Sequence, residues 1–570
     1  MIGKIARILS GGGIRIAKLL SMPFRYWCFY LFFAISVVDN LLGLKQLQIG
    51  NWLGVQPTVT LMVIGLSVLV CYCETFCTIL LHKAITHFFP RFSLKYNPGV
   101  YLFASVNLAL LIANVFVVIN FGRAFDTGML DIISQTNTNE SREFLNTYLS
   151  FGSVSAILAI IAVVFFLAWL LYKLSRRYER CCLAVYIAFL LWSLFVSGVV
   201  MYKFVLYRNA QNIPQANSIT RVSYYAFLIT RERKGFDNLC EIAKRYNKGT
   251  KSVGPTYVLV IGESHSKFHS SLYGYGKETN PLLKKYCDDG SLVLFDDAVT
   301  ISDHTSAVMN SIFSLGRYNN DLYSMPLLPM IFKGQGFYTA MYDNQYFVGD
   351  GQGILTYKPL SEEMFDYRND SGYRYDGDMV ADVSLPQDCK TLLIIHLYGQ
   401  HYTYTERFPK SFTYFKPNEY SGTEKERIAK ADYDNACRYN DCVLNAIIEK
   451  FKDKEACVVY LSDHGEDVYD QPDVMGHGNA AYVPTLKYQM RVPMFVWGSD
   501  SFIESNGELW SRIRKAAILP VSTDDISHFL IDMAGLEVDE LDKSRSALSP
   551  EYDVARPRMM LESIAYTKDK

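Results

Sequence analysis

Asp463 and His464 stand side by side in Ser462-Asp463-His464-Gly465-Glu466, directly after the apolar stretch 457–461. A carboxylate oxygen next to an imidazole can begin a metal site. Glu263, in Gly262-Glu263-Ser264-His265 after the stretch 257–261, offers a second carboxylate. With one more ligand these residues make a tetrahedral oxygen and nitrogen site for zinc, and manganese accepts the same donors. An isolated Asp-His pair also fits a helix-capping Asp beside a surface His. Thr305, in Asp303-His304-Thr305-Ser306, could supply the fourth ligand and a nucleophile. A threonine hydroxyl is a weak nucleophile at neutral pH, and metal coordination is one way to activate it. The segment 306–312 could form a helix, whose first free N–H groups suit a phosphate. Thr305 could equally be an N-cap, and Ser302, Ser306 and Ser311 offer competing hydroxyls. His477 lies in Gly476-His477-Gly478, a pattern that also fits a plain loop histidine.

Such residues need a scaffold that gathers them. From Thr256 onward, β-rich runs alternate with helix-like segments. The runs are 257–261, 292–295, 337–341, 392–397, 457–461 and 493–497. They lack polar alternation, as expected of strands covered on both faces. The segment 429–450 is long enough to be a crossover helix. The pattern predicts an open α/β sheet with helices on both sides and a largely parallel order. Ligands of such sheets bind beyond the carboxyl ends of the strands. Five of the runs lead into polar, ionisable segments: Glu263, Asp303 to Ser306, Asp343-Asn344-Gln345, Gly399-Gln400-His401, and Asp463-His464. Their convergence on one site is the expectation.

The front of the 570-residue chain is of another kind. Five apolar stretches, 26–44, 58–81, 100–121, 151–172 and 181–202, each have the length of about 20 residues that a bilayer-crossing helix needs. Four further spans after the first argue against a cleaved signal peptide. The first 205 residues carry an excess of Lys and Arg, the remainder an excess of Asp and Glu, and the net charge is −1. That balance excludes a strongly basic nucleic-acid binder. The basic segments holding Lys4 to Arg25, Lys83 to Lys95 and Lys173 to Arg180 all fall on one side of a five-span anchor. By the positive-inside rule that side is cytoplasmic, so the chain after Tyr202 is expected outside. Asp39 and Glu74 lie within spans, where a carboxylate marks either function or an internally bonded group. The organisation expected is an anchor over 1–205, a connector over 206–250 and an outer domain over 251–570. Of the 12 cysteines, six lie in the outer part, and no CxxC spacing suggests a structural zinc.

These residues carry a family resemblance. Val258-Leu259-Val260-Ile261-Gly262-Glu263-Ser264, Ser271-Leu272-Tyr273-Gly274-Tyr275 and Thr279-Asn280-Pro281 resemble the opening of the phosphoethanolamine transferase catalytic domain. Thr305-Ser306-Ala307-Val308 with Phe313-Ser314 resembles its nucleophile segment. Asp343-Asn344-Gln345, His396 to His401, Tyr433-Asp434-Asn435, Ser462 to Glu466 and His477 resemble further motifs in the same order. The resemblance implies an alkaline-phosphatase-like (sulfatase-like) domain in the periplasm, tethered to the bacterial inner membrane with the N-terminus cytoplasmic. It implies transfer of phosphoethanolamine from phosphatidylethanolamine to lipid A or core sugars of lipopolysaccharide. By motif, Glu263, Thr305, Asp463 and His464 match the zinc-binding set, with one or two zinc ions and Thr305 as nucleophile. His401 and His477 match histidines that contact the transferred phosphate or a second metal.

The chain also departs from the family. Tyr346-Phe347-Val348-Gly349 follows Asp343-Asn344-Gln345 without the cysteine of several members. Gln135-Thr136-Asn137 stands where lipid A-directed members often have Glu-Thr-Asn, and Glu466 to Pro472 leans towards the core-directed enzymes. Two other readings remain at this point. A glycerol-phosphate transferase of the lipoteichoic acid synthase type shares the span number and the Thr-metal chemistry, and a non-catalytic membrane protein could share the fold. No Cys/Ser-x-Pro-x-Arg sulfatase nucleophile surrounds Thr305.

Overall fold

The computed structural model describes residues 22–46, 57–89, 97–121, 148–177, 188, 190–195, 234–246, 249–316, 323–345, 354–478, 486–561 and 564–566. The chain divides into two compact units, residues 1–230 and 231–570.

The first unit contains α1 (Trp27–Gln46), α2 (Pro57–Phe88), α3 (Pro98–Phe121) and α4 (Phe151–Arg177). Two of them open on proline, which has no N–H to leave unpaired in a first turn. Among the described residues, Ser67–Phe88, Pro98–Asn120 and Phe151–Arg177 are long and apolar enough to cross a membrane. The first expected span forms the helix α1, of which Trp27–Asn40 is an apolar stretch among the described residues. Most of the expected fifth span, 181–202, lies outside the described residues, as does most of the connector. Leu31, Ala34 and Ile35 of α1 pack with Leu111 and Val115 of α3 and with Val164 and Ala168 of α4. Leu102, Leu158 and Phe166 point outward, as lipid-facing residues do. Both intramembrane carboxylates turn inward. Asn114 Nδ2 donates to Asp39 Oδ1 at 2.7 Å, and Asn107 Nδ2 donates to Glu74 Oε1 at 3.2 Å. In hydrocarbon a carboxylate needs such partners.

The second unit is an α/β layer structure. Its strands in chain order are β1 (Thr256–Gly262), β2 (Leu292–Leu294), β3 (Asp297–Val299), β4 (Tyr338–Asp343), β5 (Tyr367–Arg368), β6 (Thr391–His396), β7 (Ala456–Ser462), β8 (Asp467–Val468), β9 (Met475–Gly476), β10 (Met494–Gly498), β11 (Pro520–Ser522), β12 (Met559–Met560) and β13 (Ile564–Ala565). The seven-stranded sheet runs β2-β10-β7-β1-β6-β4-β5. β1 pairs in parallel with β6 and β7, and β4 in parallel with β5 and β6. β10 runs antiparallel to both of its neighbours, so the sheet is mixed but mostly parallel. All six expected runs are strands.

The period-two alternation of β1 builds two cores. Tyr257, Leu259 and Ile261 join one, with Ile312 and Phe313 of α5 (Thr305–Phe313). Val258 and Val260 join the other, with Val380 of α6 (Asp376–Asp382) and Leu444 and Ile447 of α7 (Glu424–Phe451). Helices therefore cover both faces. α7 begins with a capping box in which Thr423 N–H donates to Glu426 Oε2 at 2.6 Å, which fixes where this long crossover helix starts. The six outer cysteines are free.

Candidate active site

Register aligns the strand ends. Ile261 of β1 pairs with His396 of β6 and Leu461 of β7, and Gly262 pairs with Ser462. The residues that follow, Glu263 and Asp463, emerge together at the carboxyl edge. The turn after β1 is tight. Ser264 has φ 55°, a left-handed conformation costly for a residue with a Cβ. Its N–H donates to Asp463 Oδ1 at 3.1 Å, and its hydroxyl donates to Glu263 Oε1 at 2.7 Å. Gly399, with φ 47°, passes so close that a Cβ would lie 2.7 Å from the Glu263 carbonyl oxygen, so glycine is required there.

Glu263, Asp463 and His464 are all 0% exposed. His464 Nδ1–H donates to the Gly465 carbonyl at 2.9 Å. Its Nε2 lies 3.3 Å from Glu263 Oε1 and 3.3 Å from Asp463 Oδ2. The three ligand atoms lie within 4.8 Å of one another. Asp463 Oδ2 is buried with no hydrogen-bond partner. Burial and the adjacent Glu263 push the Asp463 carboxyl up to about 7. Burial acts to lower the His464 pKa, but Asp463 and Glu263 override it and raise it. Such a pocket of buried acceptors calls for a positive charge, and a divalent cation supplies it at neutral pH. Two carboxylates and one imidazole are a donor set that fits zinc or manganese.

Thr305 closes the group. Its hydroxyl donates to Glu263 Oε2 at 3.0 Å and lies 3.4 Å from His464 Nε2. It is the first residue of α5, and His304 holds the N-cap position without a side-chain bond. The hydroxyl is thus turned to the acidic cluster and does not cap the helix. Ser311 is buried and bonds the Val308 carbonyl at 2.8 Å. Ser302 is buried and accepts the His304 N–H at 3.2 Å. Both hydroxyls are engaged in these local bonds.

His477 Nδ1 bonds Glu466 Oε2 at 2.6 Å, and its ring lies 4.1 Å from that of His464. Its side chain is 26% exposed while that of Glu466 is 1% exposed. His464, Glu466 and His477 form a second group of potential metal ligands. His401 stacks on Tyr398 at 5.1 Å. Burial and the Arg407 charge outweigh Glu263 and lower its pKa to about 4. On the same loop His401 Nδ1, Thr403 Oγ1 and both polar atoms of Gln400 are buried without partners. All six sequence-derived site residues therefore belong to one region. Glu466, Gln345 and Asp303 were not assigned roles from the sequence. Gln345 Nε2 reaches Glu263 Oε2 at 3.1 Å, and Asp303 Oδ1 bonds His304 Nδ1 at 2.6 Å beside Thr305. Their signal was the one that located the other residues, polar side chains at strand ends.

A family model described as Sulfatase matches residues 255–536. The chain is 30% identical over 491 residues to phosphoethanolamine transferase EptC of Escherichia coli O18:K1:H7, covering 80% of this chain and 82% of the relative. Among solved structures, it resembles the C-terminal periplasmic domain of Escherichia coli EptC with 27% identity and a TM-score of 0.50, over 56% of this chain and 93% of that one. The integral membrane protein lipooligosaccharide phosphoethanolamine transferase A from Neisseria meningitidis shares the fold over 91% of this chain and 97% of its own, with a TM-score of 0.57 at 18% identity. The chain belongs to the phosphoethanolamine transferase family, with a sulfatase-family domain behind an apolar helical segment.

Proposed function

We propose that this chain is an inner-membrane enzyme that moves phosphoethanolamine from phosphatidylethanolamine to lipid A or core sugars of lipopolysaccharide. Its outer domain works in the periplasm, and the anchor keeps it beside a donor that never leaves the bilayer. The observation that carries the reading is the Thr305 hydroxyl, held 3.0 Å from Glu263 and 3.4 Å from His464 at the mouth of a buried acidic cluster.

Glu263, Asp463, His464 and Thr305 would hold zinc. Bound there, zinc would favour the Thr305 alkoxide and offset charge on the phosphoryl oxygens. The Thr305 proton leaves towards Glu263 Oε2, and Thr305 Oγ1 attacks the donor phosphorus. The bond from phosphorus to the glycerol oxygen breaks, and diacylglycerol leaves with a proton. His477, with Nδ1 fixed by Glu466, holds Nε2 as the proton donor for that oxygen. The same nitrogen then takes the proton of the acceptor hydroxyl as that oxygen attacks the phosphoethanolamine-threonine, and the bond to Thr305 Oγ1 breaks as that oxygen takes back the proton from Glu263. His401, kept neutral by burial, lines the phosphoryl group.

The test is mass spectrometry of lipopolysaccharide from cells with and without the chain. A phosphoethanolamine increment on lipid A or core is expected only with it, and identical spectra would overturn the reading. A second expected result concerns pH. In the absence of a cation the Asp463 carboxyl takes up a proton below about 7, so zinc must displace that proton in acid. Zinc affinity should fall by more than about tenfold per unit of pH below that value, because the raised His464 imidazole must give up its proton as well as Asp463. Competition with a chelator at several pH values measures this, and a flat profile would exclude Asp463 as a ligand.

A further inference from the structure

Gln345 is buried just beyond the end of β4 and touches the proposed metal site from outside. Its Nε2 lies 3.1 Å from Glu263 Oε2, 2.8 Å from the Leu397 carbonyl oxygen and 3.1 Å from His396 Nε2. A carboxylate and a carbonyl can only accept, so the amide must turn its NH2 to this side. An NH2 group has two hydrogens, and these two acceptors take them. A proton on His396 Nε2 would face that NH2 group donor to donor, so Nε2 presents its lone pair even though, against burial, Asp343 and Glu263 raise the ring's pKa. The ring proton sits on Nδ1, which donates to Asp343 Oδ1 at 2.9 Å. Asp343 Oδ2 accepts from the Arg368 guanidinium at 2.8 Å, and Asp343 Oδ1 also accepts the Gln345 backbone N–H at 2.9 Å. Arg368, Asp343 and His396 are all buried side chains.

We propose that Gln345 is a positioning residue for Glu263, and that the chain Arg368–Asp343–His396 holds its amide in the donating orientation. Each link constrains the next. The Arg368 charge keeps Asp343 an acceptor, Asp343 fixes the His396 tautomer, and that tautomer rejects the flipped amide. Glu263 Oε2 is thereby held where it also receives the Thr305 hydroxyl at 3.0 Å. The three strands β4, β5 and β6 thus reach the reacting centre through one carboxamide. Outer partners of this kind orient a ligand, and losing one typically weakens metal binding about 10- to 100-fold.

The proposal rests on Glu263 being a metal ligand, and the experiment separates the two claims. The full chain in detergent micelles is titrated with zinc against a competing chelator, and the melting temperature of the metal-free protein is recorded. Gln345→Met, which keeps the length but loses both donors, should weaken zinc binding about 10- to 100-fold with little change in that melting temperature. Arg368→Met should weaken zinc binding in the otherwise native chain but add nothing in the Gln345→Met background. Wild-type zinc affinity in Gln345→Met, with Glu263→Gln weakened, overturns the proposal and leaves the ligand assignment standing. Wild-type affinity in Glu263→Gln overturns the ligand assignment itself. If Gln345→Met does not fold, Arg368→Lys replaces it. It keeps a cation beside Asp343 and should bind zinc more tightly than Arg368→Met, and equal affinities overturn the proposal.

Discussion

Thr305→Ala is expected to abolish transfer, by at least about 10³-fold, the scale on which covalent enzymes fail when the nucleophile is removed. The substitution deletes the hydroxyl by which α5 bonds Glu263 and His464. It leaves α5 intact, since the helix start is set by backbone bonding from Val308 N–H to the His304 carbonyl. Alanine is also the best helix former, so the fold does not depend on the hydroxyl. Activity loss alone would not separate nucleophile from metal ligand. Thr305→Ser returns an oxygen at nearly the same point but frees χ1, because the methyl group that restricts it is gone. Partial activity is expected. The decisive measurement is incubation with phosphatidylethanolamine and no acceptor, followed by peptide mass spectrometry. Phosphoethanolamine on Thr305, with diacylglycerol released, is the expected result. Adduct on Ser306 with activity intact in Thr305→Ala would move the nucleophile by one residue. No adduct on any residue would replace the two-step route with direct transfer from donor to acceptor.

Much of this site was legible in the chain itself. Strands covered on both faces read as unbroken apolar runs, and parallel strands deliver their next residues to one edge. Glu263, Asp463 and the loop carrying His401 could therefore be expected together before any coordinates. The reversed direction of β10 could not be read, because Met494 to Gly498 is as apolar as the parallel strands of the same sheet and side-chain burial carries no arrow. The position of Thr305 differs by a single residue from an N-cap, less than the uncertainty of any helix boundary read from pattern. The Glu466–His477 bond was hidden for another reason. The two residues flank the short β8–β9 hairpin, whose strands of two residues each are below the length at which alternation is visible. Gln345 was visible as a strand-end residue, but its contact with Glu263 depends on a hydrogen bond between side chains that no spacing encodes.

His464→Ala carries the second large expectation, loss of the metal. The imidazole is the one ligand atom that faces both carboxylates, at 3.3 Å from each. Without it, the buried Glu263 and Asp463 lose the neighbour whose charge compensates theirs. Zinc occupancy by elemental analysis should fall from near full to a small fraction, and transfer should fall with it. The fold should survive, because the two cores of the sheet lie beneath the site and contain none of these side chains. Stability should nevertheless acquire a pH dependence with a definite sign. In the native chain burial and Glu263 push Asp463 up to about 7 against the lowering His464 charge, and removing His464 moves it further in the same direction, compared with about 3.9 for an unfolded aspartate. Between these values the folded chain binds more protons than the unfolded chain. Stability is therefore lost as pH rises through that window, at up to about 1.4 kcal/mol per pH unit. The metal-free variant should melt at a higher temperature at pH 5 than at pH 7.5. The native protein saturated with zinc should not share that contribution, because its carboxylates are compensated by the ion. Full zinc occupancy in His464→Ala would show that the ligands lie elsewhere. An identical pH dependence of melting in the variant and in the zinc-saturated native chain would show that Glu263 and Asp463 do not share a buried charge.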